Sequence, residues 1–347
     1  MIDWNDGSIR VVAEAGQMMD GSLDKAIDMA WQASQAGAWG FKVQLLEPEK
    51  IAGLGAEKYW TDNIGTTNQR EAFDKAGIIR YGDWKEVKQA CDEFGIEFFA
   101  TPFDPEAVEA LEAINVVLYK IASGDITNKP LLQLVATTGK PIVLSTGASY
   151  SDEISRAYDW ITQVSPNGAH ANIALLACSL IYPCRPENAN LNRITTLKLD
   201  YDFVGYSDHT TGTHTALAAT ALGATILEKH YTTTPNGQNV PDHAMAIDPD
   251  QLAEYVELAE HGQKLRGTGL MTPLPGEEPA RKSARRSLHA SRDIRKGSIF
   301  REEDLIPLRP GGGWEPEDWE DLMGCKSDRA YKAGEMITMP SFVSWGN

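Results

Sequence analysis

Short runs rich in β-branched and aromatic residues recur along the chain, each followed by a stretch of helical composition. The runs are Arg10–Gly16, Gly40–Leu45, Glu97–Phe103, Val117–Ser123, Pro141–Gly147, Ile173–Cys178, Phe203–His209 and Ala224–His230. Between them lie helical segments such as Leu23–Ala36, Trp84–Phe94 and Thr213–Leu222, and Pro249–Leu265 reads as a closing helix. A single series of eight such β-then-α units predicts a closed parallel barrel, the (β/α)8 TIM barrel of the α/β class. A doubly wound open sheet is the competing arrangement, but the chain carries no glycine-rich dinucleotide fingerprint.

The pattern then changes. Residues 266–280 are rich in Gly and Pro and read as a linker after a catalytic domain of residues 1–265. From Arg281 to the end, short β-type runs alternate with tight turns, as in Ser287–Ser291, Arg295–Phe300 and Ala333–Thr338. Residues 281–347 therefore predict a small β-rich domain with a modest core.

Composition narrows the class. The 347 residues are 42% apolar and 23% charged, ordinary for a globular protein. No apolar run reaches the roughly 18 residues that span a bilayer. The opening residues lack a basic stretch followed by an apolar one, so a cytoplasmic location is expected. With 32 basic and 49 acidic residues the net charge is −17, which argues against nucleic acid or anionic membranes as partners. Cys91, Cys178, Cys184 and Cys325 are scattered and form no C-x-x-C pair, so reduced, structural thiols are expected.

Several strands begin apolar and end polar, and in a barrel those ends build the active-site face. His209 and His230 close the seventh and eighth strands, where two imidazoles can bind a metal with positions left open. The other reading is two unrelated, hydrogen-bonded histidines. By the period of two, Ser207 shares a face with His209, and Glu228 with His230. Lys42 and Lys120 lie within apolar strands, where an ammonium is costly unless paired. They suit a phosphate and carboxylate substrate, a Schiff-base nucleophile, or a structural ion pair such as Lys120 with Asp125. Ser123 and the Ser145-Thr146-Gly147 turn add donors for phosphate oxygens. Glu14, between alanines, suits a metal-linked or basic role or an ion pair.

Together these segments resemble the N-acetylneuraminate (sialic acid) synthase family over nearly the whole chain. The matching runs are Ala13–Gly16, Lys42–Gln44, Ala100–Asp104, Tyr119–Gly124, Leu144–Gly147, Tyr182-Pro183, Gly205–Thr210, Leu227–His230 and Pro241–His243. The tail, with Arg285–Leu288, Asp293–Gly297 and Leu308–Gly311, resembles that family's antifreeze-like (SAF-type) domain. The resemblance implies a metal-dependent, aldol-type synthase that joins phosphoenolpyruvate to an open-chain N-acylamino hexose, giving a nonulosonic acid and phosphate. It implies that His209 and His230 bind a divalent ion, usually manganese, with magnesium or cobalt as alternatives, which polarises the sugar aldehyde. Lys42, Lys120, Ser123, Ser145 and Ser207 would hold phosphoenolpyruvate. Glu14 and Asp242 would work near the metal and the sugar hydroxyls, and Tyr182 would border the sugar. Arg309 would reach from the small domain of one subunit into the barrel of another, in a domain-swapped homodimer.

Two departures from the family pattern are expected to affect the sugar end. Met18 and Met19 stand where an Asn-His pair is usual, and Leu180 replaces an Asn or Ser that would bond phosphate or sugar. A deoxy or more heavily acylated acceptor would suit such losses, while Gln17 and Asp20 are possible replacements. The competing functions are another phosphoenolpyruvate-dependent 3-deoxy-2-keto sugar acid synthase, a Schiff-base aldolase, and a non-catalytic sugar-binding relative. The segment Leu46–Tyr81, with Trp60, is expected to help shape the acceptor pocket.

Overall fold

A computed structural model describes residues 2–4, 6–60, 65–168, 172–235, 237 and 240–338. The chain divides into two compact units, Met1–Thr268 and Gly269–Asn347. In the first, eight parallel strands close on themselves in chain order. They are β1 (Arg10–Gly16), β2 (Gly40–Leu45), β3 (Glu97–Pro102) and β4 (Tyr119–Ile121), then β5 (Ile142–Ser145), β6 (Ile173–Cys178), β7 (Val204–Asp208) and β8 (Ile226–His230). Because β1 pairs with both β2 and β8, the sheet has no free edge. This is the (β/α)8 TIM barrel that the hydrophobic pattern predicts.

Period-two alternation explains how the barrel becomes a site. Inward positions run from apolar to polar along each strand: Val12 then Glu14, Phe99 then Thr101, Leu118 then Lys120, Val143 then Ser145, and Ile226 then Glu228 and His230. The apolar members pack with Ala174, Leu176 and Trp4 into one buried cluster that fills the barrel floor. The polar members line a cavity above it. A larger apolar cluster lies between the outward strand positions and the helices, with Phe41, Val43 and Leu175 against Met29, Val87 and Leu132. Burying a side chain of this size contributes roughly 1.5–3 kcal/mol, so the scaffold is stable enough to carry unfavourable charges inside.

Helix starts follow local chemistry. Asp104 accepts from the N–H of Ala107 at 2.8 Å, with Pro105 opening the helix Pro105–Ala113. Asp248 and Gln251 form a reciprocal capping box at the start of the closing helix, Pro249–Arg266.

The second unit contains β9 (Ser287–Ala290) paired antiparallel with β10 (Leu305–Leu308). Its own core gathers Leu288, Ala290, Ile294, Phe300, Leu305, Leu322, Tyr331 and Ile337. The Gly- and Pro-rich stretch before it ends in a short helix, Glu278–Ala284. Among the described residues no helix is long and apolar enough to cross a membrane.

Candidate active site

A cavity of about 620 Å³ opens at the C-terminal ends of the strands. At its base, four charged side chains from β1, β2, β4 and β8 meet. Lys42 Nζ lies 2.6 Å from Glu14 Oε2 and 3.8 Å from Glu228 Oε2, while Lys120 Nζ lies 3.4 Å from Glu228 Oε1. Lys42 also donates to Thr101 Oγ1 at 3.2 Å, Gln44 donates to Glu14 Oε1 at 3.1 Å, and Ser207 donates to Glu228 Oε1 at 3.1 Å. The partner of Lys120 is therefore Glu228. Asp125 accepts from Asn128 instead, because the chain winds into a 3-10 turn at Ser123–Asp125 directly after β4.

Burial works against every charge in this group. It raises the carboxyl of Glu14 to about 7, despite the pull of Lys42. It also lowers Lys120, whose attraction to Glu228 offsets only part of the cost. Lys42 is held above its ordinary value because Glu14 and Glu228 together outweigh burial. For the same reason Glu228 stays below its own, held by Lys120 and Lys42.

Hydroxyls face the same space. Ser145 Oγ is buried with no hydrogen-bond partner among the described residues. Ser123 Oγ accepts the N–H of Gly147 at 2.9 Å, which leaves its proton free to point into the cavity. Gly147 is required there: a Cβ would lie 2.9 Å from both Ser123 Oγ and Leu180 Cγ.

His209 and His230 stand at the mouth of this pocket with ring centroids 5.3 Å apart, and Tyr182 lies over His209 at 4.2 Å. His209 Nδ1 donates to the Ser179 carbonyl at 2.6 Å, which fixes the tautomer with a lone pair on Nε2. His230 is kept neutral by burial and by the positive charge of its neighbours. Its Nδ1 has no hydrogen-bond partner among the described residues, and Asp242 Oδ2 lies 3.6 Å away. Burial raises the carboxyl of Asp242 to about 6. Gly16 brings Asp242 and Glu14 together, since its φ of 53° and a Cβ only 3.3 Å from Asp242 Oδ2 both exclude a side chain. Burial works against a charge on His209, but Cys178 and the Ser179 carbonyl outweigh it and hold the imidazole above its ordinary value. With that proton displaced, the two rings fit a divalent cation. Among the described residues no group of three or more His, Cys, Asp or Glu is arranged to hold one.

Ten of the eleven singled-out residues thus line one cavity: Glu14, Lys42, Lys120, Ser123, Ser145, Tyr182, Ser207, His209, His230 and Asp242. Arg309 belongs to the second unit, just beyond β10, and is not among them. Met18 and Met19 are corrected outright. The turn after Gly16 carries both into the core between barrel and helices, and it is Gln17 that lines the cavity. Asp20 instead pairs with Lys25 at 2.6 Å. Leu180 does line the cavity, as do Ile51, Tyr59, Trp60, Gln69 and Phe73 from the segment after β2. Residues 61–64 of that segment lie outside the described residues. Glu228 and Cys178 are the additions. Glu228 is marked in the sequence only by its shared face with His230, and Cys178 lines the cavity as a free thiol 3.8 Å from His209 Nδ1.

Residues 27–270 match the NeuB family and residues 285–343 match the SAF domain. An uncharacterised protein of Methanocaldococcus jannaschii is 37% identical over 88% of this chain and 86% of its own length. The N,N'-diacetyllegionaminic acid synthase of Campylobacter jejuni is 34% identical over 94% of this chain and 98% of its own. The crystal structure of an N-acetylneuraminic acid (sialic acid) synthetase from Leptospira borgpetersenii superposes with a TM-score of 0.70 at 32% identity, covering 79% of this chain and 90% of that one. Matched across barrel and tail alike, this chain belongs to the NeuB family, the family of the sialic acid synthases, and ends in a SAF domain.

Proposed function

We propose that the chain condenses phosphoenolpyruvate with an open-chain N-acylamino hexose, releasing a nonulosonic acid and phosphate. One observation carries this reading: two buried lysines and the unsatisfied hydroxyl of Ser145 converge with Ser123 in a cavity that also holds a pair of imidazoles. Lys120, Ser123 and Ser145 grip the phosphate, while Lys42 and Ser207 take the carboxylate end. Their fixed donors stabilise negative charge without prior rearrangement. His209 and His230 hold a divalent cation, manganese first, which when bound supplies Lewis-acid polarisation of the sugar aldehyde. Asp242 and Glu14 orient the sugar beside that carbonyl. C3 of the enol ester bonds to the aldehyde carbon, water adds at C2, and phosphate leaves with its bridging oxygen. Glu228 and Glu14 stabilise the positive charge that builds at C2 before water arrives.

The acceptor wall formed by Ile51, Tyr59, Trp60 and Phe73 is largely apolar. It favours a deoxy or additionally acylated hexose over a fully hydroxylated one. Homodimerisation belongs to the same reading, and light scattering measures it. The test is phosphate release from phosphoenolpyruvate with manganese and a panel of acylamino hexoses. Release that depends on the sugar and stops with chelator is expected, and absence of release with every sugar refutes the reading. Treatment with pyruvate and borohydride should leave the protein mass unchanged, because neither lysine becomes covalently attached. A best rate with plain N-acetylmannosamine would remove the modified acceptor while leaving the chemistry intact.

A further inference from the structure

Behind the two imidazoles, on the outer face of the barrel, lies a second set of charges that the proposed chemistry does not use. Asp208 of β7 and Lys229 of β8 are register partners, and both side chains are fully buried. Lys229 Nζ lies 3.2 Å from Asp208 Oδ2 and also donates to the carbonyl of Thr210. Asp208 Oδ1 accepts from the N–H and the hydroxyl of Thr210 at 2.8 and 2.7 Å. Asp208 Oδ2 accepts from the hydroxyl of Tyr255 at 3.2 Å, on the closing helix.

Such a pair is a poor stabiliser, because dehydrating two charges offsets most of their attraction, and apolar side chains of similar volume do as well. What apolar side chains cannot do is engage both the N–H and the C=O of one residue. Thr210 is so engaged, and it directly follows His209. The next links are backbone bonds: the His209 carbonyl accepts from the N–H of Cys184 at 2.7 Å, and Cys184 bridges to Thr210. That bridge anchors the loop whose Tyr182 lies over His209. Removing the clamp would free the end of β7, the aim of His209 and the seat of Tyr182 together.

We propose that Asp208 and Lys229, with Tyr255, are positioning residues that fix the exit of β7 and so set the angle of the His209 imidazole. The kinetic side of this inference rests on the synthase reading, and the imidazole geometry does not. The double variant Asp208→Asn/Lys229→Met removes both charges and leaves none stranded. Its kcat for phosphate release should fall about 100-fold, as expected for displacement of a catalytic group by an ångström or so. KM for phosphoenolpyruvate should stay within about threefold, because the inner lysines and serines are untouched. In metal-free protein, nitrogen-15 spectra of the histidines should show the single Nδ1–H tautomer of His209 giving way to a mixture. A folded double variant with wild-type kcat and an unchanged His209 signal overturns the proposal. If that variant does not fold, Tyr255→Phe decides. It removes one hydroxyl from the clamp, and a fall in kcat of about threefold to tenfold at unchanged KM supports the proposal. No change in either constant or in the His209 signal overturns it. If the wild-type protein releases no phosphate with any sugar, the synthase reading fails, while the histidine spectra still decide positioning.

Discussion

Three buried lysines lie close to the two histidines, and they differ in how completely they are bonded. Lys229, on the outer face, belongs to a closed network in which the carboxylate, the ammonium and the Thr210 backbone all find partners within the fold. Lys42 and Lys120, on the inner face, share two carboxylates and the Thr101 hydroxyl, and beside them Ser145 has no partner among the described residues and Ser123 keeps a free proton. The closed set already contains everything its charges need. The open set has donors to spare, and spare buried donors mark where a ligand completes the hydrogen bonding. Burial alone does not separate a site from a strut; unused bonding capacity does.

The comparison breaks if both kinds of lysine respond alike to removal. Lys120→Met should lower phosphate release by about 1,000-fold, since it removes a fixed donor to the transferring group. The fold should survive, because Glu228 keeps Ser207 and Lys42. Lys229→Met should do the reverse in stability, stranding Asp208 at a cost of about 3–5 kcal/mol. Urea unfolding and steady-state kinetics on the same two proteins separate the cases. Equal loss of stability in both would make the inner lysines struts as well.

The barrel was legible in the sequence because inward and outward positions differ in kind along each strand, and because His209, His230, Lys42 and Lys120 are costly where bulk is expected. The pairing of charges was not. Lys120 and Glu228 lie on strands that are not neighbours, and no spacing rule says which carboxylate meets which lysine across a barrel. The turn after β1 was equally hidden: the positive φ at Gly16 redirects the chain, so Met18 and Met19 point into the core and Gln17 into the cavity. The clamp left a trace that could have been used. Asp208 and Lys229 are charged at outward positions that should be apolar against a helix layer.

The open set should also leave a mark on the pH dependence of stability. Glu14 has an ordinary carboxyl pKa near 4.5 when unfolded and about 7 in the fold, raised by burial. Between these values the native state binds a proton that the unfolded chain does not, so this group's contribution to stability falls as pH rises through that window and is level above it. Glu14→Gln removes the slope. The wild-type urea midpoint should therefore fall more between pH 5 and pH 8 than that of Glu14→Gln. Parallel behaviour of the two proteins would mean that Glu14 is ionised throughout and that Lys42 alone sets its state.

The smallest effect is the most specific, since an open network has room for one more donor and a closed one does not. Leu180 lines the cavity beside Gly147, Ser123 and Cys178. Leu180→Asn places an amide there without adding bulk. If phosphate occupies the space between Ser123, Ser145 and Lys120, the amide contributes one further hydrogen bond of about 1 kcal/mol, a decrease of roughly fivefold in KM for phosphoenolpyruvate. Because the same bond is made before and during reaction, kcat should not move. A change in the acceptor's KM instead, with that for phosphoenolpyruvate constant, would assign Leu180 to the sugar wall and shift the phosphate toward Lys42. No change in either would mean that the donors already present satisfy the substrate, and that the inner set closes once it is bound.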